Sequence, residues 1–131
     1  MFRWQFSATK TTLGSSTSVI DIAVGTAGTT ADTARVSFTK PGGTALADEG
    51  WFEVNAIVRG PTSTAGVIAG EFILTHNQST QGHLTTPNCV LNTVSAAFDI
   101  TVADSFIGLC LTGGASDTYT IQLARAEAWN L

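Results

Sequence analysis

Residues Gly50 to Gly60, GWFEVNAIVRG, decide the fold. Read at period two, Phe52, Val54, Ala56 and Val58 fall on one side, and Trp51, Glu53, Asn55, Ile57 and Arg59 on the other. Successive side chains of a strand point to opposite faces, so the stretch predicts a strand with an apolar inner face and a mixed outer one. Its span is about 33 Å, long for a strand, and a glycine closes each end. After the turn-rich GPTSTAG, a second strand is predicted over Val67 to His76, and the two make a long antiparallel hairpin.

The remaining chain alternates in the same way. Strands are predicted over Phe2–Ala8, Thr17–Val24, Ala34–Thr39, Cys89–Val94, Ala97–Ala103, Phe106–Thr112 and Thr118–Trp129. In the last, Tyr119, Ile121 and Leu123 alternate before the phase blurs in ARAEAW. GTAGTTAD (25–32), KPGG (40–43), NQSTQGHLTTP (77–87) and GGASD (113–117) read as turns and loops, and TALADE (44–49) as a loop or a single helical turn. No segment sustains a 3.6-residue period over the length a helix needs. The prediction is one all-β domain over residues 1–131, an antiparallel β-sandwich of eight or nine strands.

Composition supports a folded domain with an unusual surface. Only 12% of the residues are charged, about half the usual share. Thr (21), Ala (17), Gly (13) and Ser (10) take their place. Mean hydropathy is positive and the net charge is −4, the opposite of a disordered chain. A surface of hydroxyls, alanine and apolar groups suits contact with another protein. With six Lys plus Arg the chain lacks the basic footprint of a nucleic-acid partner. No run of about 18 apolar residues marks a membrane span. The N-terminus has no signal-like apolar region and reads as a strand, which predicts synthesis in the cytoplasm and reduced thiols at Cys89 and Cys110, the latter as a small core residue.

Constellations that could carry chemistry are weak. His76, His83 and Cys89 match no paired metal-ligand spacing and read as polar groups in or beside a surface loop. Glu53 and Glu71 could face each other on the hairpin like a glycosidase pair, but exposed carboxylates on a solvent face explain them as well. Two histidines and no nucleophile elbow leave no hydrolase triad. The glycines of GTAGTT and TGGASD precede no helix, so neither cradles a phosphate. No catalytic residue, cofactor or metal is predicted. The candidate interface residues are Trp51 and Ile57 on the outer face of the central strand, with Trp129 and Trp4. An exposed Trp stacks on a sugar ring, buries itself in a neighbouring subunit, or caps an open sandwich core.

Taken together, the Gly50–Gly60 strand, AGEFIL (69–74), FIGLCLTG (106–113) and YTIQLARAE (119–127) resemble small β-sandwich domains of tailed-bacteriophage virion proteins. These include head decoration (cement) proteins and the C-terminal knobs of tail fibres. The resemblance lies in pattern over roughly residues 50 to 128. It implies a jelly roll like that of the tumour necrosis factor family, a homotrimer, and no catalytic residues. A chain opening directly on a strand, with no heptad stalk, favours a cement protein on the outer surface of the phage head, bound to the major capsid protein. A tail knob binding a receptor or carbohydrate through Trp51 or the 77–87 loop is the alternative. Circular dichroism is expected to show a β-rich spectrum, and helix above about one-fifth, against a usual third, would refute the sandwich.

Overall fold

The structure is a computed structural model that describes residues 1–11, 14, 15, 17–77, 82–102 and 106–130. Among the described residues there are eight strands: β1 (Phe2–Lys10), β2 (Ser18–Gly25), β3 (Thr33–Lys40), β4 (Asp48–Arg59), β5 (Val67–His76), β6 (Asn88–Val94), β7 (Phe106–Thr112) and β8 (Tyr119–Ala128). All pairings are antiparallel, and no helix occurs among the described residues. The strands form a sheet of five, β6-β5-β4-β1-β8, and a sheet of three, β3-β2-β7. The chain is an all-β sandwich, and its jelly-roll connectivity stays an expectation of the family likeness.

The central strand sorts its faces as its alternation predicts. Phe52, Val54 and Ala56 are buried, while Trp51 and Ile57 are exposed. Phe52 stacks on Phe6 of β1 at 4.8 Å and tilts against Phe72 of β5 at 6.0 Å. Phe72 meets Phe38 of the opposite sheet at 5.9 Å, so one run of rings joins the two layers. Ile20, Ile22, Val36, Ile68, Leu74 and Leu84 fill the core around them. Gly70 lets the sheets approach closely, because a Cβ there would lie 2.9 Å from the Phe38 ring and 3.2 Å from Ile22 and Val36.

Several elements differ from the sequence reading. The strand expected at Ala97–Ala103 is, over its described residues, an irregular segment with one bridge, Gly66 to Phe98. Asp99 accepts hydrogen bonds from the Thr101 backbone and hydroxyl, a local turn that competes with strand pairing. Phe98 and Ile100 remain apolar plugs at that end of the sandwich, beside Phe2, Val58 and Ile68. No helical turn forms in 44–47, and β4 begins already at Asp48. Of the two thiols, both free, the buried one is Cys89. Leu109 and Leu111 take the inner face of β7, and alternation turns Cys110 outward.

The blurred phase near the C-terminus has a specific cause. The β1–β8 register pairs Ser7 with Leu123 but Ala8 with Ile121, a β-bulge at Gln122. Before the bulge Tyr119 and Ile121 lie on the inner face. After it, Ala124, Ala126 and Ala128 do, and Leu123, Arg125 and Glu127 turn outward.

Val54→Asp is expected to abolish folding, since an unpaired charge in this interior costs more than about 4 kcal/mol. Trp51→Ala, on the opposite face of the same strand, is expected to leave the melting temperature nearly unchanged. Equal destabilisation by the two would show that both faces of β4 are packed.

Candidate functional site

The outer face of the five-stranded sheet presents side chains from all five of its strands. Strand registers order it in rows that cross the sheet. One margin is apolar. Met1 exchanges backbone hydrogen bonds with Trp129 at 2.8 and 2.9 Å, and Met1, Ile57, Ala69 and Val94 line one concavity. Ile57, Ala69 and Val94 are register partners across β4, β5 and β6. Ile57 and Trp129 are 40% and 42% exposed, so this margin offers apolar side chains to a partner.

The next row is polar throughout, and the one after it is polar over β8, β1 and β4 before it ends in Ile73 and Val90. Glu127, Arg3, Asn55, Glu71 and Asn92 share one row, and Arg125, Gln5 and Glu53 begin the other. Glu53 is their hub. Its carboxylate accepts from Arg3 Nε and Nη2 at 3.2 and 2.9 Å, Gln5 Nε2 at 2.7 Å and Asn55 Nδ2 at 2.9 Å. Asn55 Nδ2 also reaches Glu71 Oε1 at 3.2 Å, so an amide stands between the two carboxylates considered as a pair. Burial raises the Glu53 pKa, but hydrogen bonds from Asn55, Gln5 and Arg3 outweigh it and hold the carboxyl below its ordinary value of 4.5. A glycosidase acid needs the reverse, a carboxyl that keeps its proton. The concavity over this polar row and the apolar margin has a volume of about 540 Å³.

The four candidate interface residues separate. Ile57 and Trp129 belong to the same margin. Trp51 lies on the same outer face but six residues from Ile57, roughly 20 Å along the strand, between Ser7 and Thr75. Trp4 is on the inner face of β1, half-buried against the core and stacked on Phe2 at 5.9 Å. It borders an open groove of about 400 Å³ between the β7 and β8 sides of the sandwich, with Phe6, Leu109, Leu111, Ile121 and Ala124. The alternation of β1 already places Trp4 in phase with Phe6 and Ala8.

At the opposite end of the sandwich, the chain buries polar groups that sequence reasoning placed on the surface. His83 is fully buried and the His76 side chain nearly so. His76 Nδ1 lies 2.5 Å from Asp48 Oδ2, and its Nε2 lies 2.6 Å from the Thr86 carbonyl. Asp48 Oδ2 also accepts from the His83 backbone N–H at 3.0 Å. These partners compensate the burial that the loop's polar composition argued against. Lys10 and Lys40 are buried as well. Lys40 Nζ donates to the Pro41 and His83 carbonyls at 2.7 and 2.6 Å, and Lys10 Nζ donates to Thr44 O at 2.9 Å and faces Asp117 at 3.9 Å. Burial pushes the Lys40 pKa down to about 8. The two lysines tie the ends of β1 and β3 to the loops that close the core. Burial likewise raises the Cys89 thiol pKa, which keeps the thiol protonated. Among the described residues no group of three or more His, Cys, Asp or Glu side chains is placed to hold a metal ion. Of the 77–87 loop, residues 78–81 lie outside the described residues.

No family model, curated protein or solved structure matches the chain. No helix among the described residues is long and apolar enough to cross a membrane.

His83 gives the closed end a pH signature. Its Nε2 donates to the Ala8 carbonyl at 3.1 Å, and Nδ1 is buried without a hydrogen-bond partner. Burial above all lowers its pKa from 6.5 to about 4. Between those values the unfolded chain binds a proton that the folded chain refuses. The associated stability is complete above pH 6.5 and is lost as pH falls through about 4. Thermal melts are expected to drop across this window by the equivalent of about 3 kcal/mol, and His83→Gln to flatten the drop. An unchanged pH profile in that variant would refute the assignment.

Proposed function

We propose that the protein is a structural virion component, a bacteriophage head decoration (cement) protein that clamps neighbouring major capsid protein subunits from outside without catalysis. The supporting observation is the margin formed by Trp129, Met1, Ile57 and Val94, an apolar strip on an ordered sheet face. It belongs to a chain in which only 12% of residues are charged. Contiguous exposed apolar surface of this kind is suited to burial against another protein. The chain would be made in the host cytoplasm and act on the outer surface of the head. The homotrimer implied by the family likeness would make each contact after the first intramolecular, which is how a clamp gains stability.

One observation favours a second reading, a tail-fibre knob that binds a receptor or carbohydrate. The concavity beside the apolar margin carries Arg3, Asn55, Arg59, Glu71 and Asn92, groups that hydrogen-bond sugar hydroxyls. Trp51 lies farther along the same face.

Sedimentation with shells assembled from the major capsid protein encoded in the same genome separates the two. The cement reading expects the protein to pellet with shells. It expects Ile57→Asp and Trp129→Ala to lose binding by about tenfold or more while melting close to the parent. Failure to bind shells, with retention on a glycan array that Asn55→Ala abolishes, would overturn it in favour of the knob.

A further inference from the structure

Of the four edge strands of the two sheets, β8 is the longest, with ten residues against seven, eight and seven for β6, β3 and β7. The β3 edge has Arg35 drawn over the Phe98 ring at 4.4 Å. β8 lies outside the three-stranded layer and is exposed along nearly its whole length; it has no Pro or Lys, its bulge at Gln122 precedes the segment from Leu123 onward, and its two charges, Arg125 and Glu127, are opposite in sign. An edge of this kind is a template for pairing with another strand.

Which groups it offers follows from its partner. Met1 and Trp129 exchange both backbone hydrogen bonds. Antiparallel pairs alternate between bonded and non-bonded, so Glu127, Arg125 and Leu123 turn their backbone groups toward β1. Ala124, Ala126 and Ala128 turn theirs to the free edge.

We propose that β8 pairs with β8 of a second copy of this chain, antiparallel across a two-fold axis at Ala126, to give one continuous sheet of both five-stranded layers. The register is fixed by charge. With the axis at Ala126, Arg125 of each copy faces Glu127 of the other, in the non-bonded pair where side chains come closest. Leu123, 59% exposed, faces Trp129 on the same side. Ala124 and Ala128 are opposed as bonded pairs on the inner side, where small residues admit the second sheet edge. An axis at Arg125 would oppose two arginines, and one at Glu127 two glutamates. Within one chain Arg125 and Glu127 already form an ion pair, which the dimer would share between copies. A two-fold contact must be self-complementary, and this segment is. The inference shares Trp129 with the apolar margin of the capsid reading, and a two-fold dimer stands in place of the homotrimer that the family likeness implies. The tests keep the two apart, because Ile57→Asp reads only that margin and the exchange of Arg125 and Glu127 reads only the β8 edge.

Light scattering of the full chain at tens of micromolar is the test, with dimer expected. Ala126→Pro removes an N–H that the monomer does not use, and is expected to give a monomer with an unchanged melting temperature. Arg125→Glu alone and Glu127→Arg alone are each expected to weaken the dimer about tenfold or more, and the double swap to restore it. The swap decides the matter should the proline variant fail to fold. A monomeric parent, or an oligomer whose dissociation none of these changes shifts, would overturn the proposal.

Discussion

Phe52 is the contact on which the rest of the sandwich depends. Its ring is fully buried, lies against Phe6 and Phe72 in its own sheet, and meets the edge of His83 at 5.4 Å. Through Phe72 and Phe38 the same run of rings reaches the three-stranded layer. Three strands, the opposite sheet and the polar closed end therefore converge on one side chain. Packing at organic-crystal density makes such a junction intolerant of changes in volume. It also fixes the register of β4, since a one-residue slip would send Phe52 outward and Trp51 into the core.

A sheet of five facing a sheet of three cannot cover itself, and the molecule's surfaces follow from that mismatch. β3 lies toward β5 and β6, which leaves the inner face of β8 beyond the cover of β7. The bulge at Gln122 then decides what β8 shows. It places alanines on the uncovered inner side and Leu123, Arg125 and Glu127 on the outer one. A partly open groove beside Trp4 is the geometric residue of the same mismatch.

Period two alone made most of the fold legible. Strands 67–76 and 106–112 have the bounds their alternation predicts, and the inner and outer sets of β4 separate as read. Alternation assigns a face but not a neighbour, so the convergence of Arg3, Gln5 and Asn55 on Glu53 required the strand order. Lys10, Lys40 and His83 were illegible for a different reason. Their burial depends on loop carbonyls and on Asp48, partners 34 or more residues apart in the chain in most cases, which no local pattern reports. Segment 97–103 misled because Phe98, Ile100 and Val102 are apolar at strand spacing, while the Asp99–Thr101 turn takes the backbone elsewhere.

The distribution of charge constrains how this protein can meet a partner. Five of its six basic side chains are engaged within the chain. Arg3 pairs with Glu53, Lys10 faces Asp117, Lys40 is held by carbonyls, Arg35 lies over Phe98, and Arg125 pairs with Glu127. With its cations spent internally, the surface creates little long-range field of either sign beyond a net charge of −4. Association would then lack electrostatic steering and draw on buried apolar area, slow to form and nearly indifferent to salt. The apolar margin at Ile57 fits that regime. The β8 edge departs from it in one respect, because its Arg125 and Glu127 can exchange partners between copies. There charge selects the register, while backbone pairing and the Leu123–Trp129 contact supply the attraction.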